Sequence, residues 1–248
     1  GKGGIIGVIF GVWLLSKIEK AIRKRVPDVL DLVVTPFITM LVTGLIFVFI
    51  IMPVAGYVSD GLVSVLSLII NSANPVIRII SGFVLSALFL PMVLLGLHHG
   101  LIPIYAVQLE QMGGVSLFPV LAMAGAGQVG AAIAIYQVAK KVKNDRLTSV
   151  ITGALPAGFL GVGEPLIYGV TLPMFKPFIT AGLGAGFGGA FAMFMNVKSN
   201  AWGPSGLVAI PLMQGNGMLY YFIGLVIAYI AGYIITKVSI KDDDVLKI

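Results

Sequence analysis

Residues 161–173 read GVGEPLIYGVTLP, and Glu164 is the only acidic residue between Asp145 and Asp242. A charge at the centre of a membrane helix costs about 2.5–3.5 kcal/mol even on insertion scales, so such a group faces the bundle interior or a wet cavity. Gly161 and Gly163 free the backbone before the carboxylate, and Pro165 removes a backbone donor after it. An unwound segment with an acid at its tip offers acceptors to a polar solute. The plainer reading is an interfacial acid at the start of a half-helix that opens on Pro165, which is good capping chemistry. The two readings are compatible, and the solute site is preferred because it is what intramembrane carboxylates usually serve.

His98 and His99 follow an apolar run and precede Gly100 and Pro103. Neighbours on a helix point about 100° apart, so the pair cannot chelate one metal from a regular helix. With two histidines and no cysteine in the chain, nothing completes a zinc site. Either both are hydrogen-bonded interfacial histidines, or one imidazole faces the same cavity as Glu164. GAGQVG (125–130) matches a dinucleotide fingerprint, but it lies inside an apolar span without the strand and βαβ unit that motif needs. Close helix packing by small residues is the better reading. Gln128, polar inside that span, either joins two helices or lines the pathway. The small-residue rows of GLGAGFGGA (182–190) read as packing. Trp13, Trp202, Tyr220 and Tyr221 read as interface anchors. Lys176 marks a cytoplasmic boundary by snorkelling or meets a phosphate. No Walker motif, catalytic triad or metal signature appears, so no covalent chemistry is expected of this chain unaided.

The elements that must carry these groups are membrane helices. The chain has 248 residues, 58% hydrophobic and 10% charged, with mean hydropathy +1.04. Soluble domains carry roughly 25% charged residues. Lipid cannot satisfy backbone N–H and C=O groups, so only helices and closed barrels span it. The apolar runs here are continuous rather than alternating, which excludes barrel strands. The net charge of +6 is clustered, the pattern of membrane orientation rather than of nucleic-acid binding. The fold expected is an all-α, multi-span bundle with re-entrant half-helix hairpins and amphipathic interfacial helices.

Along the chain, 4–16 is apolar but short for a span. It runs into a basic amphipathic helix, 16–28, ended by Pro27; it lacks a signal-peptide cleavage site. Residues 29–52 form a span closed by Pro53, and 56–71 an interfacial helix with Val58, Leu62, Val65, Leu66 and Ile69 opposite Asp60, Ser64, Ser67 and Asn71. Spans follow at 76–97, 117–138, 178–195 and 218–236. The basic segments 16–28 and 140–146 are both cytoplasmic by charge, yet three crossings separate them. Either 56–71 also crosses, or 99–113, broken by Gly and Pro, returns partway through. Residues 148–174 are expected as two half-helices meeting at GVGEP, 199–217 as a loop or second re-entrant piece, and the tail KDDDVLKI as frayed.

Taken in order, GLHHGLIPIY, LAMAGAGQVGAA and GVGEPLIYGVTLP resemble the membrane (IIC) component of the bacterial phosphotransferase system, glucose superfamily. The Gly-x-x-Glu-Pro element at Gly161–Pro165 and Gly-Leu-His at 96–98 resemble that family's sugar-site motifs. The resemblance implies a homodimer in the bacterial inner membrane that binds a sugar at the midplane and carries it across by moving a substrate-holding domain. A phosphorylated IIB domain or subunit then phosphorylates the sugar. Such phosphotransfer needs the partner, because this chain has no cysteine to carry the phosphoryl group. The implied substrate-binding set is Glu164, His98, Gly163, Gln128 and His99, with no cofactor and no metal. Residues 1–97 would belong to the dimerisation and scaffold side, and 98–248 to the sugar-binding transport domain. The family's membrane part has about twice the spans seen here, so opening spans and IIB are expected elsewhere. The glucose and maltose branch places an Arg nine residues before the first His. Here that position is Phe89, and nothing basic lies between Arg78 and His98. The chain therefore resembles the branch for β-glucosides, sucrose, trehalose and N-acetylmuramic acid, the last above all. A lactyl carboxylate would want a cation or N–H-rich subsite, for which Lys176 and a half-helix N-terminus are the candidates. The alternative function is an ion-coupled secondary transporter or channel with Glu164 as the ion site.

Overall fold

The computed structural model describes residues 4–70, 72 and 74–246, without the side chains of 4–6, 59, 62, 63, 65–67, 69 and 70. Among them the chain is helical throughout, with no strand beyond isolated bridges. It divides into two compact units, Gly1–Leu66 and Ser67–Ile248. Five helical stretches are long and apolar enough to cross a membrane: Asp28–Val58, Pro75–Leu94, Leu117–Lys141, Lys176–Phe194 and Gly217–Ser239. The protein is a multi-pass membrane protein.

In the first unit, α1 (Gly4–Arg23) is one unbroken helix, so the apolar start and the basic amphipathic stretch are not separate elements. It stops short of Pro27, which instead sits as the N-cap of α2 (Asp28–Ile46). Pro53 does not close the span expected there. Helix continues from α2 through a π turn, Phe47–Ile51, into α3 (Met52–Ile70). A proline has no N–H to give, and its ring crowds the carbonyl four residues back. The wider π turn just ahead of Pro53 opens the hydrogen-bond ladder where that crowding would fall. Residues 56–70 thus prolong the preceding helix. Among the side chains assigned there to an amphipathic pattern, those of Leu62, Val65, Leu66, Ser67, Ile69 and Asn71 lie outside the described residues.

The second unit opens on α4 (Pro75–Leu94), whose first turn is capped by Asn74 Oδ1 accepting from the Val76 N–H at 2.9 Å. A left-handed Gly96 ends the run, and a 3-10 turn, Leu97–Leu101, leads into α5 (Ile102–Met112). With 11 residues, α5 is about 16 Å long, half of the about 30 Å of hydrocarbon. Three of the long stretches lie between the two basic segments. α6 (Leu117–Leu121) and α7 (Met123–Lys141) form the third long stretch. α8 (Asp145–Phe159) and α9 (Glu164–Leu166) make the expected hairpin at GVGEP. A second π turn, Ile167–Thr171, precedes α10 (Leu172–Met174). It stands ahead of Pro173 as the first stands ahead of Pro53, and the same lost donor explains it.

α11 (Lys176–Phe194) and α12 (Gly217–Ser239) complete the bundle with α7. These helices meet backbone to backbone. A Cβ on Gly184 would collide with Gly232, and one on Gly127 would lie 2.8 Å from the Ala185 nitrogen. Membrane helices gain little by hiding apolar surface from lipid, so close contact between small residues is what holds them. The glycine rows read as packing are therefore the seam of this unit. α4 joins it through Ser86 Oγ donating to Ala185 O at 3.0 Å. Arg78 Nη2 donates to the last carbonyls of α11, Met193 O at 2.7 Å and Phe194 O at 2.9 Å. That commits the nearest upstream cation to a helix end. The tail is not frayed over its described length: α13 (Asp242–Leu246) buries Val245, and Asn144 Nδ2 donates to its carbonyl at 3.0 Å.

Candidate functional site

The site is built where backbone breaks converge. After α8 the chain turns at 160–163, and Gly161 adopts φ +91°. A Cβ there would strike the backbone of Ser205, so only glycine lets this tip lie against the 203–206 loop. That loop is itself fixed. Val115 and Ser199 exchange backbone hydrogen bonds at 2.9 and 3.0 Å, and Gln214 Nε2 donates to Gly113 O at 2.9 Å. The turn after α5 and the segment 199–214 are thereby tied together.

Between these pieces lies a cavity of about 250 Å³. His98, Gln128, Gly163 and Glu164 all line it, from three separate segments of the chain. Glu164 stands at its open side and is exposed, not enclosed by protein, and its carboxylate forms no hydrogen bond or ion pair among the described residues. The backbone gap allows this: a charge keeps its hydration until a solute replaces it. Gln128 is 0% exposed, and its Oε1 accepts from Thr171 Oγ1 at 2.8 Å. It therefore both joins two segments and lines the cavity, which resolves the alternative left by the sequence. His98 presents a buried Nδ1 with no hydrogen-bond partner among the described residues. His99 is exposed, stacks on His98 at 4.0 Å between ring centroids, and is not part of the lining.

Sequence reasoning missed the aromatic side of the cavity. Trp202, read as an interface anchor, lines it with Tyr105, their ring centroids 6.0 Å apart. The available signal was its place in the Gly/Pro-rich segment 199–217, which as a re-entrant piece would not sit at an interface. Tyr221, another presumed anchor, is fully buried. Phe89 also lines the cavity, its ring 6.2 Å from that of His98. The position occupied by Arg in the glucose and maltose branch is thus a wall of this cavity, made apolar here. Among the described residues no Lys or Arg lines it. Lys176 is not among the residues lining the cavity and pairs with Asp244 at 3.2 Å.

Spanning helices, paired half-helices and a cavity of mixed polar and aromatic lining define a helical multi-pass membrane protein. The family follows from comparison: residues 2–185 match the model of "Phosphotransferase system, EIIC", and the chain belongs to that family. It is 52% identical over 237 residues to a "PTS system MurNAc-GlcNAc-specific EIIBC component" of Staphylococcus epidermidis, covering 95% of this chain and 49% of that protein. Proteins of the same description from Staphylococcus saprophyticus and Staphylococcus aureus are 52% and 50% identical over 237 residues, each covering 95% of this chain and 48% of the relative. The chain spans about half the length of the curated relatives it matches. No solved structure matches it.

Proposed function

We propose that this chain is the sugar-holding part of a phosphotransferase-system membrane component. It binds a sugar of the N-acetylmuramic acid type and presents it to phosphorylated IIB. The observation that carries the reading is the convergence of Glu164, His98, Gln128 and Gly163, expected from sequence, on one cavity also lined by Trp202 and Tyr105. Such a sugar is rich in O–H donors and has apolar C–H faces. Glu164 accepts from its hydroxyls in charge-assisted bonds. The indole of Trp202 supports a ring face, while His98 and the backbone at Gly163 complete the polar side. His99 acts by stacking on His98. The relatives' description supports the sugar class and a fused IIB partner. The site works in the bacterial inner membrane within a homodimer, with 98–248 as the transport part and 1–97 on the scaffold side.

A direct binding titration of the purified chain with N-acetylmuramic acid, trehalose, sucrose and salicin tests the proposal. Saturable binding of the first, lost in Glu164→Gln, is expected. In vesicles, phospho-IIB must be required and sugar phosphate must appear inside. Uptake of unmodified solute along an ion gradient would establish ion-coupled secondary transport instead.

A further inference from the structure

Gln128 lies one residue past the glycine seam of α7 and is sealed from solvent, yet its amide is only half used. Thr171 Oγ1 lies 2.8 Å from Gln128 Oε1 and 3.3 Å from Leu166 O. The shorter contact is assigned the hydroxyl proton, which sets Oε1 of the amide toward Thr171. Oε1 is thereby occupied, and Nε2 of this cavity-lining residue has no partner among the described residues. A buried N–H pair without an acceptor is costly, so the site is built for a ligand that brings one.

We infer that Gln128, oriented by Thr171, is the specificity-determining donor that reads the acetamido carbonyl of a 2-acetamido sugar. Three features favour a carbonyl over the other acceptors of a sugar. A hydroxyl accepting from Nε2 must place its own proton on a further acceptor, whereas an amide carbonyl is complete with the one bond. Ala124 is one turn before Gln128 on α7 and Ile167 four residues before Thr171, so helical spacing sets both beside the pair. Both line the cavity and are buried, at 1% and 3% exposure, and offer an apolar seat for the acetamido methyl. Beside Gln128 a carboxylate is disfavoured as the acceptor, because Glu164 shares the cavity and, among the described residues, no Lys or Arg lines it.

The inference rests on the sugar reading above, and the experiment separates the two. Equilibrium binding is measured on the purified full chain with two matched pairs differing only at C2: N-acetylglucosamine with glucose, and N-acetylmuramic acid with 3-O-lactylglucose. The wild type is expected to prefer each acetamido member by about tenfold or more. Gln128→Leu is expected to weaken binding of the acetamido members by about tenfold or more and that of the 2-hydroxy members by less, so that the ratio collapses toward one. Thr171→Val lowers the ratio part of the way and Thr171→Ser restores it, which a purely structural role would not produce. A ratio unchanged in Gln128→Leu, or equal losses for both members, overturns the inference while the sugar site stands. Should Gln128→Leu not fold, the two Thr171 variants decide alone. Binding of neither pair by the wild type sinks the sugar reading and this inference with it.

Discussion

Two polar groups meet the same cavity from opposite kinds of backbone. Glu164 sits at a break, exposed and unpartnered among the described residues, between a left-handed glycine and a proline. Gln128 sits inside the unbroken helix α7, fully buried and held by Thr171. The difference follows from solvation. A charge without a partner must keep water, and only a gap between half-helices admits it. A neutral amide can be sealed in a continuous helix if one neighbour satisfies half of it. The gap therefore supplies the strong, displaceable contact, and the helix supplies the rigid one.

The comparison breaks most completely at the gap itself. Gly161→Val is expected to lose both sugar binding and thermal stability in detergent, since the side chain strikes Ser205 and β-branched residues avoid that φ. A correctly folded, binding-competent variant would show that the tip does not need its observed shape. Glu164→Gln is expected to keep the fold and weaken sugar binding by roughly 10- to 100-fold, the worth of a hydrogen bond to a charged group. Unchanged affinity in calorimetric titration would refute its role. Trp202→Ala is expected to lower affinity by about tenfold through lost ring contact, read by the same titration. His98→Ala should cost about fivefold, one neutral hydrogen bond; a loss exceeding that of Glu164→Gln would make the imidazole the anchor. Lys176→Ala should leave sugar affinity within about twofold, because its exposed pair with Asp244 lies outside the cavity and contributes little.

Much of the architecture was legible because the signals are local. The hairpin at GVGEP follows from two glycines and a proline around one acid, and the boundaries of α4, α11 and α12 follow from runs of apolar residues. The continuity of α2 into α3 was not legible. Pro53 reads as a stop, and only the π turn before it shows how the helix absorbs a missing donor. The tail was misjudged for a similar reason. KDDDVLKI is polar in isolation, but Lys141 pairs with Asp242 at 2.6 Å, and Val245 finds a buried seat.

Within the site, Glu164, His98 and Gln128 could be singled out because polar groups are rare in apolar sequence and each must answer for its desolvation. Trp202, Tyr105 and Phe89 could not, since an aromatic residue is at home in lipid, at an interface or in a cavity alike. By itself, then, the sequence determined that this is a helical membrane protein, where its backbone breaks, and which polar groups are candidates for a solute. Only the tertiary structure decided which segments converge, that aromatic rings form the other side of the cavity, that His99 stands behind His98, and that Lys176 is committed elsewhere. Hydropathy and helix breaking act through neighbours in the chain, whereas a binding site depends on contacts between residues up to a hundred positions apart.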